Sequence, residues 1–160
     1  MEIAYSPIGT IYSPFHKLTS MPIQPLSESS APGTVVLLPE FAPGLKDLQG
    51  FSHIILIYHL HQSHSYALTV TPFLDSVQHG VFATRAPRRP NPIGLSVVPL
   101  IRIDDNIMYV DKLDVLDGTP LLKDIKPYVP EFDSPPNFRL GWLEGVKAKL
   151  RTTNSDDRFG

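Results

Sequence analysis

The stretch Arg85-Ala86-Pro87-Arg88-Arg89-Pro90-Asn91-Pro92 places three prolines within six positions. Each proline fixes φ and removes a backbone donor, so these residues can be neither a helix interior nor a central strand. They form a stiff loop. Arg85, Arg88 and Arg89 stand on it, and no acidic residue occurs between Asp75 and Asp104, so positive charge is concentrated here in a chain of formal net charge −2. Gly80 to Thr84 before the loop and Leu95 to Ile103 after it have strand character, which makes it a connection clamped at both ends. Rigid loops on a scaffold are where function concentrates. For Arg88 and Arg89, phosphate contact outweighs the reading as solvated charge.

The remainder of the chain must supply the scaffold. A length of 160 residues permits one domain that buries roughly two-thirds of its unfolded surface. Residues 1–153 are expected to form it, with a flexible polar tail at 154–160. No stretch approaches the roughly twenty apolar residues of a membrane span, and the N-terminus lacks a basic segment followed by an apolar run, so a soluble cytoplasmic protein is expected. The absence of cysteine excludes disulfides and thiolate metal sites. Four of the six histidines (His53, His59, His61 and His64) crowd one segment. On a strand, 53, 59 and 61 share a face and 64 does not, and no metal is expected. A pI of about 6.3 excludes a general basic sheath, so any nucleic-acid contact must be local.

Strand follows strand in the sequence. The first fourteen residues alternate and stop at Ser13-Pro14, and residues 15–33, with Pro22, Pro25 and Pro32, read as a long loop. Thr34 to Leu38 is a buried strand, and Leu45 to Leu48 is at most a helical turn that Gly50 stops. Phe51 to His61, with Ile54, Ile55, Leu56, Ile57, Tyr58 and Leu60, is too short for a membrane and too β-branched for a helix; it is the expected central strand. Ala67 to Phe73 and Gly80 to Thr84 are shorter strands. Ile93 to Ile103 pairs with Ile107 to Val115 across Asp104-Asp105-Asn106. Near the end, Leu140, Leu143, Val146 and Leu150 follow helical spacing, so Phe138 to Leu150 is expected to be a short C-terminal helix, weakened by Gly141 and Gly145. Short turns without ten-residue helices between them predict a mainly β fold, a small antiparallel barrel or sheet. No Gly-x-Gly-x-x-Gly follows a strand and no P-loop occurs, so a doubly wound nucleotide site is unsupported.

A second candidate site is Leu113-Asp114-Val115-Leu116-Asp117-Gly118-Thr119-Pro120, followed by Asp124-Ile125-Lys126-Pro127-Tyr128. By itself it reads as a strand end, an Asp-Gly turn whose Asp117 bonds the turn backbone, and a proline-terminated strand. The two motifs together carry a family resemblance. Arg-x-Pro-x-Arg-Pro-Asn-Pro-Ile-Gly-Leu-Ser over Arg85 to Ser96 resembles the signature of the TrmO-like (TsaA, YaeB) proteins, S-adenosylmethionine-dependent tRNA adenosine methyltransferases. The likeness runs from Ile8-Gly9-Thr10-Ile11-Tyr12-Ser13-Pro14 through Phe51-Ser52-His53 and His61-Gln62 to the Asp117 and Asp124 motifs, and weakens over the last thirty or so residues.

The resemblance, and not composition or spacing, implies a cofactor. It implies a β-barrel whose S-adenosylmethionine pocket is built from Pro25, Leu26, Ser27, His61, Gln62, Arg85, Leu95, Asp111, Lys112, Leu113 and Asp114. Asp114 suits ribose hydroxyls or the ligand amine, and Arg85 suits a carboxylate or phosphate. Asn91, Asp117, Lys126 and Tyr128 are the candidates for orienting the base or accepting its proton, His53 for supporting the site, and Arg88 and Arg89 for binding RNA. The implied reaction is methyl transfer to the exocyclic nitrogen of the adenosine 3′ of a tRNA anticodon, one already carrying threonylcarbamoyl, by a homodimer that needs no metal. Two rivals stay open: a module that binds S-adenosylmethionine or RNA without turnover, and a methyltransferase for another substrate. One departure from the family pattern lies at Leu121-Leu122-Lys123, where three residues stand in place of the usual two; an extra strand residue makes a bulge or flips faces, which leaves the direction of Asp124 open.

Overall fold

The computed structural model describes residues 1–159, and of residues 121–123 the backbone alone. Six strands close a barrel in the order β1 (Gly9–Tyr12), β2 (Ala31–Leu37), β7 (Ile107–Leu113), β6 (Ile93–Asp104), β3 (His53–His59) and β8 (Thr119–Pro127). Every neighbouring pair is antiparallel, and β8 closes the ring on β1. Two further short strands, β4 (Thr69–Val70) and β5 (His79–Gly80), pair outside the barrel.

The continuous apolar run of β3 resolves into strict alternation. Ile54, Leu56 and Tyr58 are buried, while Ile55, Ile57 and the flanking histidines face outward and are half-covered. Opposite them, Val98 and Leu100 of β6 and Met108 and Val110 of β7 complete an interior in which each large side chain stabilises the fold by about 1.5–3 kcal/mol. The β6–β7 hairpin turns at Asp105, whose φ of 53° is left-handed, and Asn106 fastens the turn to β2 through a side-chain bond to the Leu37 carbonyl. At Lys112 the alternation of β7 slips by one: its φ is 54°, Lys112 is exposed and Leu113 is fully buried. That irregularity sends Leu113 and Val115 into the core and leaves Asp114 between them at the rim.

In β8 the register shifts opposite Ile57 and Tyr58, whose partners are Asp124 and Leu121. Beyond the shift Asp124 stands on the outer face, paired with Lys126 at 2.8 Å. The side chains of residues 121–123, at the insertion, lie outside the described residues.

Two expected elements take other forms. Gly80 to Thr84 is not a strand: after β5 the chain turns through a 3-10 segment, Val81–Ala83, because Thr84 bonds back to the Val81 carbonyl through both its amide and its hydroxyl. The C-terminal helix is a 3-10 run, Gly141–Lys149, with no buried residue. Gly141 has a φ of 59°, which a regular helix does not accommodate.

The proline-rich loop 15–30 is held by the end of the chain. Ser20 and Met21 exchange backbone bonds with Ser155, Pro22 bridges to Asn154, and Ser27 Oγ donates to the Arg151 carbonyl. Beyond Asn154, Arg158 donates to the Pro72 carbonyl at 2.8 Å and Phe159 packs edge-on against Phe73.

Candidate active-site cavity

Antiparallel order puts the C-terminal ends of β3 and β7 and the N-terminal ends of β6 and β8 at one rim of the barrel. There the structure has a cavity of about 690 Å³, within the roughly 300–1,000 Å³ of small-molecule sites. Its floor comes from Tyr58 and Leu60 to Ser63, and from Asp114, Val115, Leu116 and Thr119. Its walls come from the loop that includes Arg85, from residues 18–24 and from the C-terminal segment that includes Trp142.

A chain of three polar groups, buried at Tyr58 and Ser96 and half-buried at Asp114, forms part of this rim. Tyr58 and Ser96 are cross-strand residues on β3 and β6, and their hydroxyls lie 2.9 Å apart; Ser96 Oγ donates to Asp114 Oδ1 at 2.6 Å. A serine has one proton. Since Ser96 gives its proton to Asp114, the Tyr58 phenol must donate to Ser96. Burial, and then the Asp114 charge, hold that phenol far above its usual pKa, so it stays protonated. Burial also pushes the Asp114 carboxyl up to about 6, against the opposing pulls of the Ser96 bond and the Arg85 charge. The neighbouring glycine has a steric reason: a Cβ on Gly94 would lie 2.2 Å from the Tyr58 ring, so only glycine lets that ring lie across β6.

Two more groups are set at the same rim. Thr119 Oγ1 donates to the Leu116 carbonyl at 2.7 Å and lies 3.2 Å from His61 Nδ1. The threonine proton is therefore committed, and the neutral His61 donates from Nδ1 and keeps its lone pair on Nε2. Burial, with the charges of His59 and His64, lowers the His61 pKa. Asp156, a second carboxylate in the lining, is held low by hydrogen bonds from Arg158. One rim thus holds two carboxylates whose surroundings push them in opposite directions.

Of the residues singled out in the sequence, the structure brings His61, Gln62, Arg85 and Asp114 together in the lining. The others stand elsewhere. Leu26 is exposed, and Ser27 is buried against Arg151 just beyond the lining residue Gln24. Leu95 lies on the outer face of β6 opposite Ile57, 45% exposed. Pro25, Asp111, Lys112 and Leu113 are outside the lining, with Leu113 in the barrel core. Asn91 is an exposed loop residue whose carbonyl accepts the Ile93 amide. Asp117 takes the Ser13 amide at 2.9 Å and lies 3.3 Å from His16, which fastens the β7–β8 turn to β1. Lys126 and Tyr128 belong to the outer face, Tyr128 with its ring 6.4 Å from that of His53.

The arginines of the loop divide in use. Arg89 turns inward, and its Nη1 donates to the carbonyls of Val81 and Thr84 at 3.1 and 2.8 Å. The Arg88 carbonyl accepts the Ala67 amide. Sequence reasoning passed over Tyr58, Ser96, Thr119, Phe82 and Trp142. The available signal was a serine at an inward position of β6, where apolar residues alternate on either side.

Comparison with known proteins adds the following. Residues 10–134 match the family model described as the tRNA-methyltransferase O N-terminal domain. A "Probable S-adenosyl-L-methionine-binding protein" of Pyrococcus abyssi is 54% identical over 159 residues, covering 99% of this chain and 86% of that one. The tRNA (adenine(37)-N6)-methyltransferase of Escherichia coli is 35% identical over 154 residues, 90% of this chain and 65% of the relative. The crystal structure of TrmO from Pseudomonas aeruginosa superimposes with a TM-score of 0.73 at 40% identity, covering 89% of this chain and 63% of the solved one.

Proposed function

Because this chain belongs to the family of the tRNA-methyltransferase O N-terminal domain, we propose that it transfers a methyl group from S-adenosylmethionine to the exocyclic nitrogen of an adenosine in tRNA. The finer reading is the adenosine just 3′ of the anticodon, already carrying threonylcarbamoyl. The observation that carries this proposal is the meeting, in one cavity, of Arg85 from the proline-rich loop with Asp114 from the second motif.

The donor set fits the cofactor. Arg85 offers a cation for its carboxylate, Asp156 an ionised acceptor, and the apolar lining of Leu60, Phe73 and Leu143 a surface for its purine. When bound, S-adenosylmethionine supplies a methyl carbon already activated on a sulfonium sulfur. The protein is left with two tasks, alignment and a destination for the nucleophile's proton. Asp114 suits the second task. Its carboxyl, lifted to about 6 by burial, is basic enough to take a proton yet ionised at neutral pH, and Ser96 with Tyr58 behind it fixes its orientation. Asn91, Asp117, Lys126 and Tyr128 stand outside the cavity lining, so the geometry favours Asp114 over them as acceptor.

A tRNA substrate implies work in the cytoplasm, and a homodimer supplies the surface that one small chain lacks. The decisive experiment is transfer of labelled methyl from the cofactor into tRNA with and without the threonylcarbamoyl group. Label in adenosine of the modified tRNA alone is expected. Cofactor binding without any transfer would leave a binding module, and transfer to another acceptor would overturn tRNA as the substrate.

A further inference from the structure

Among the large apolar side chains that stand exposed in the described residues, Phe82 is the one that also lines the cavity, and it is 75% exposed. Exposure alone means little, since single surface hydrophobes are common. What distinguishes Phe82 is the immobility of its backbone. Val81 before it is fully buried in a small cluster with Val70 and Ala86. Three carbonyls around it are engaged: Val81 by Arg89 and Thr84, Ala83 by the Trp142 indole at 2.8 Å, and Thr84 by Arg89. Trp142 is itself stacked on His79, with ring centroids 4.3 Å apart. The Arg89 guanidinium carbon lies 5.9 Å from the Phe82 ring centroid. An open aromatic face on a braced turn, beside cations at the mouth of a reaction cavity, has the properties that single-stranded bases select.

We infer that Phe82 is the platform on which the target adenine stacks once it is splayed out of the anticodon loop. The inference rests on the tRNA-methyltransferase reading above and deepens it. A base drawn out of its stack loses its neighbours and needs a replacement. A phenyl on a braced backbone offers one with only two side-chain torsions to fix, and it presents the base edge to the cavity that holds Asp114. Phe82 acts in this scheme as a substrate-binding residue and takes no part in proton transfer.

The test compares wild type, Phe82→Ala and Phe82→Tyr in methyl transfer to a modified anticodon stem-loop RNA, with cofactor binding followed by calorimetry. For Phe82→Ala, KM for the RNA is expected to rise about tenfold or more while cofactor affinity stays within twofold, and Phe82→Tyr is expected to restore KM. An unchanged KM in Phe82→Ala, against an active wild type, would overturn the platform and leave the methyltransferase reading intact. An equal loss of cofactor affinity would also overturn it, because Phe82 would then belong to the cofactor. A wild type that transfers nothing to RNA would remove the reading beneath it. The phenyl is exposed, so the variants are expected to keep wild-type circular dichroism, and direct RNA binding by fluorescence anisotropy gives a readout independent of turnover.

Discussion

At the scale of single residues, the proposed chemistry turns on the carboxyl of Asp114. As a proton acceptor it must be ionised, so the methyl-transfer rate is expected to rise with pH through about 6 and level off above it. Ser96→Ala removes a bond that pulls the carboxyl down, so the midpoint of that profile should move upward; a midpoint that stays in place would separate Ser96 from the acceptor. The same shift has a consequence for stability. The folded pKa lies above the ordinary carboxylate value, so the native state binds the proton more tightly than the unfolded chain does. The stability this confers is complete below about pH 4 and is lost as pH rises through about 6. Above that, the buried charge opposes folding. Asp114→Asn should therefore raise Tm at pH 8 while abolishing transfer, and a lowered Tm would mean that the ionised carboxylate holds the rim together. The sequence made Asp114 and Arg85 legible as charges at motif positions. It could not make Tyr58 and Ser96 legible, because their partnership exists only once β3 and β6 are paired in register.

At the scale of elements, the long barrel strands were legible, while the short strands outside the barrel and the braces between elements were not. A short β-branched apolar run locates β3, and the Asp104-Asp105-Asn106 turn between two apolar runs locates β6 and β7. The order of the loop 15–30 depends on backbone bonds to Ser155, some 135 residues away, and no local composition reports those. Phe138 to Leu150 carries helical spacing, but Gly141 at positive φ and the hold of Trp142 on the Ala83 carbonyl draw the segment into a 3-10 course. Arg89 has a structural use that composition does not report: its guanidinium closes its own turn. Hydrogen bonds from a charged group are worth about 1.5–3 kcal/mol each. Arg89→Ala is expected to cost about that much in denaturant unfolding and to speed amide exchange at Thr84 and Ala86. Full stability with weakened RNA binding would return Arg89 to the solvent-facing role.

At the scale of the whole molecule, charge and area set the problem. On the proposed reading, a chain of net charge −2 repels its tRNA on average and must meet it through one cationic region, and an anticodon stem is large beside a 17.8 kDa protein. The proposed homodimer would extend that region by two-fold symmetry without lengthening the sequence. The outer face of β3 and β6, where Ile55, Ile57, Ile93 and Leu95 stand half-covered or exposed, and the single-turn helix Pro130–Asp133 are the surfaces proposed for such a partner. On that helix Phe132 is 74% exposed. Light scattering is expected to give about twice the mass of one chain. Phe132→Asp and Leu95→Asp should each lower the dimer fraction and, with it, methyl transfer, while circular dichroism stays that of the folded barrel. A monomer that methylates tRNA at the full rate would remove the dimer from the mechanism, and intact dimers in both variants would move the interface to another face.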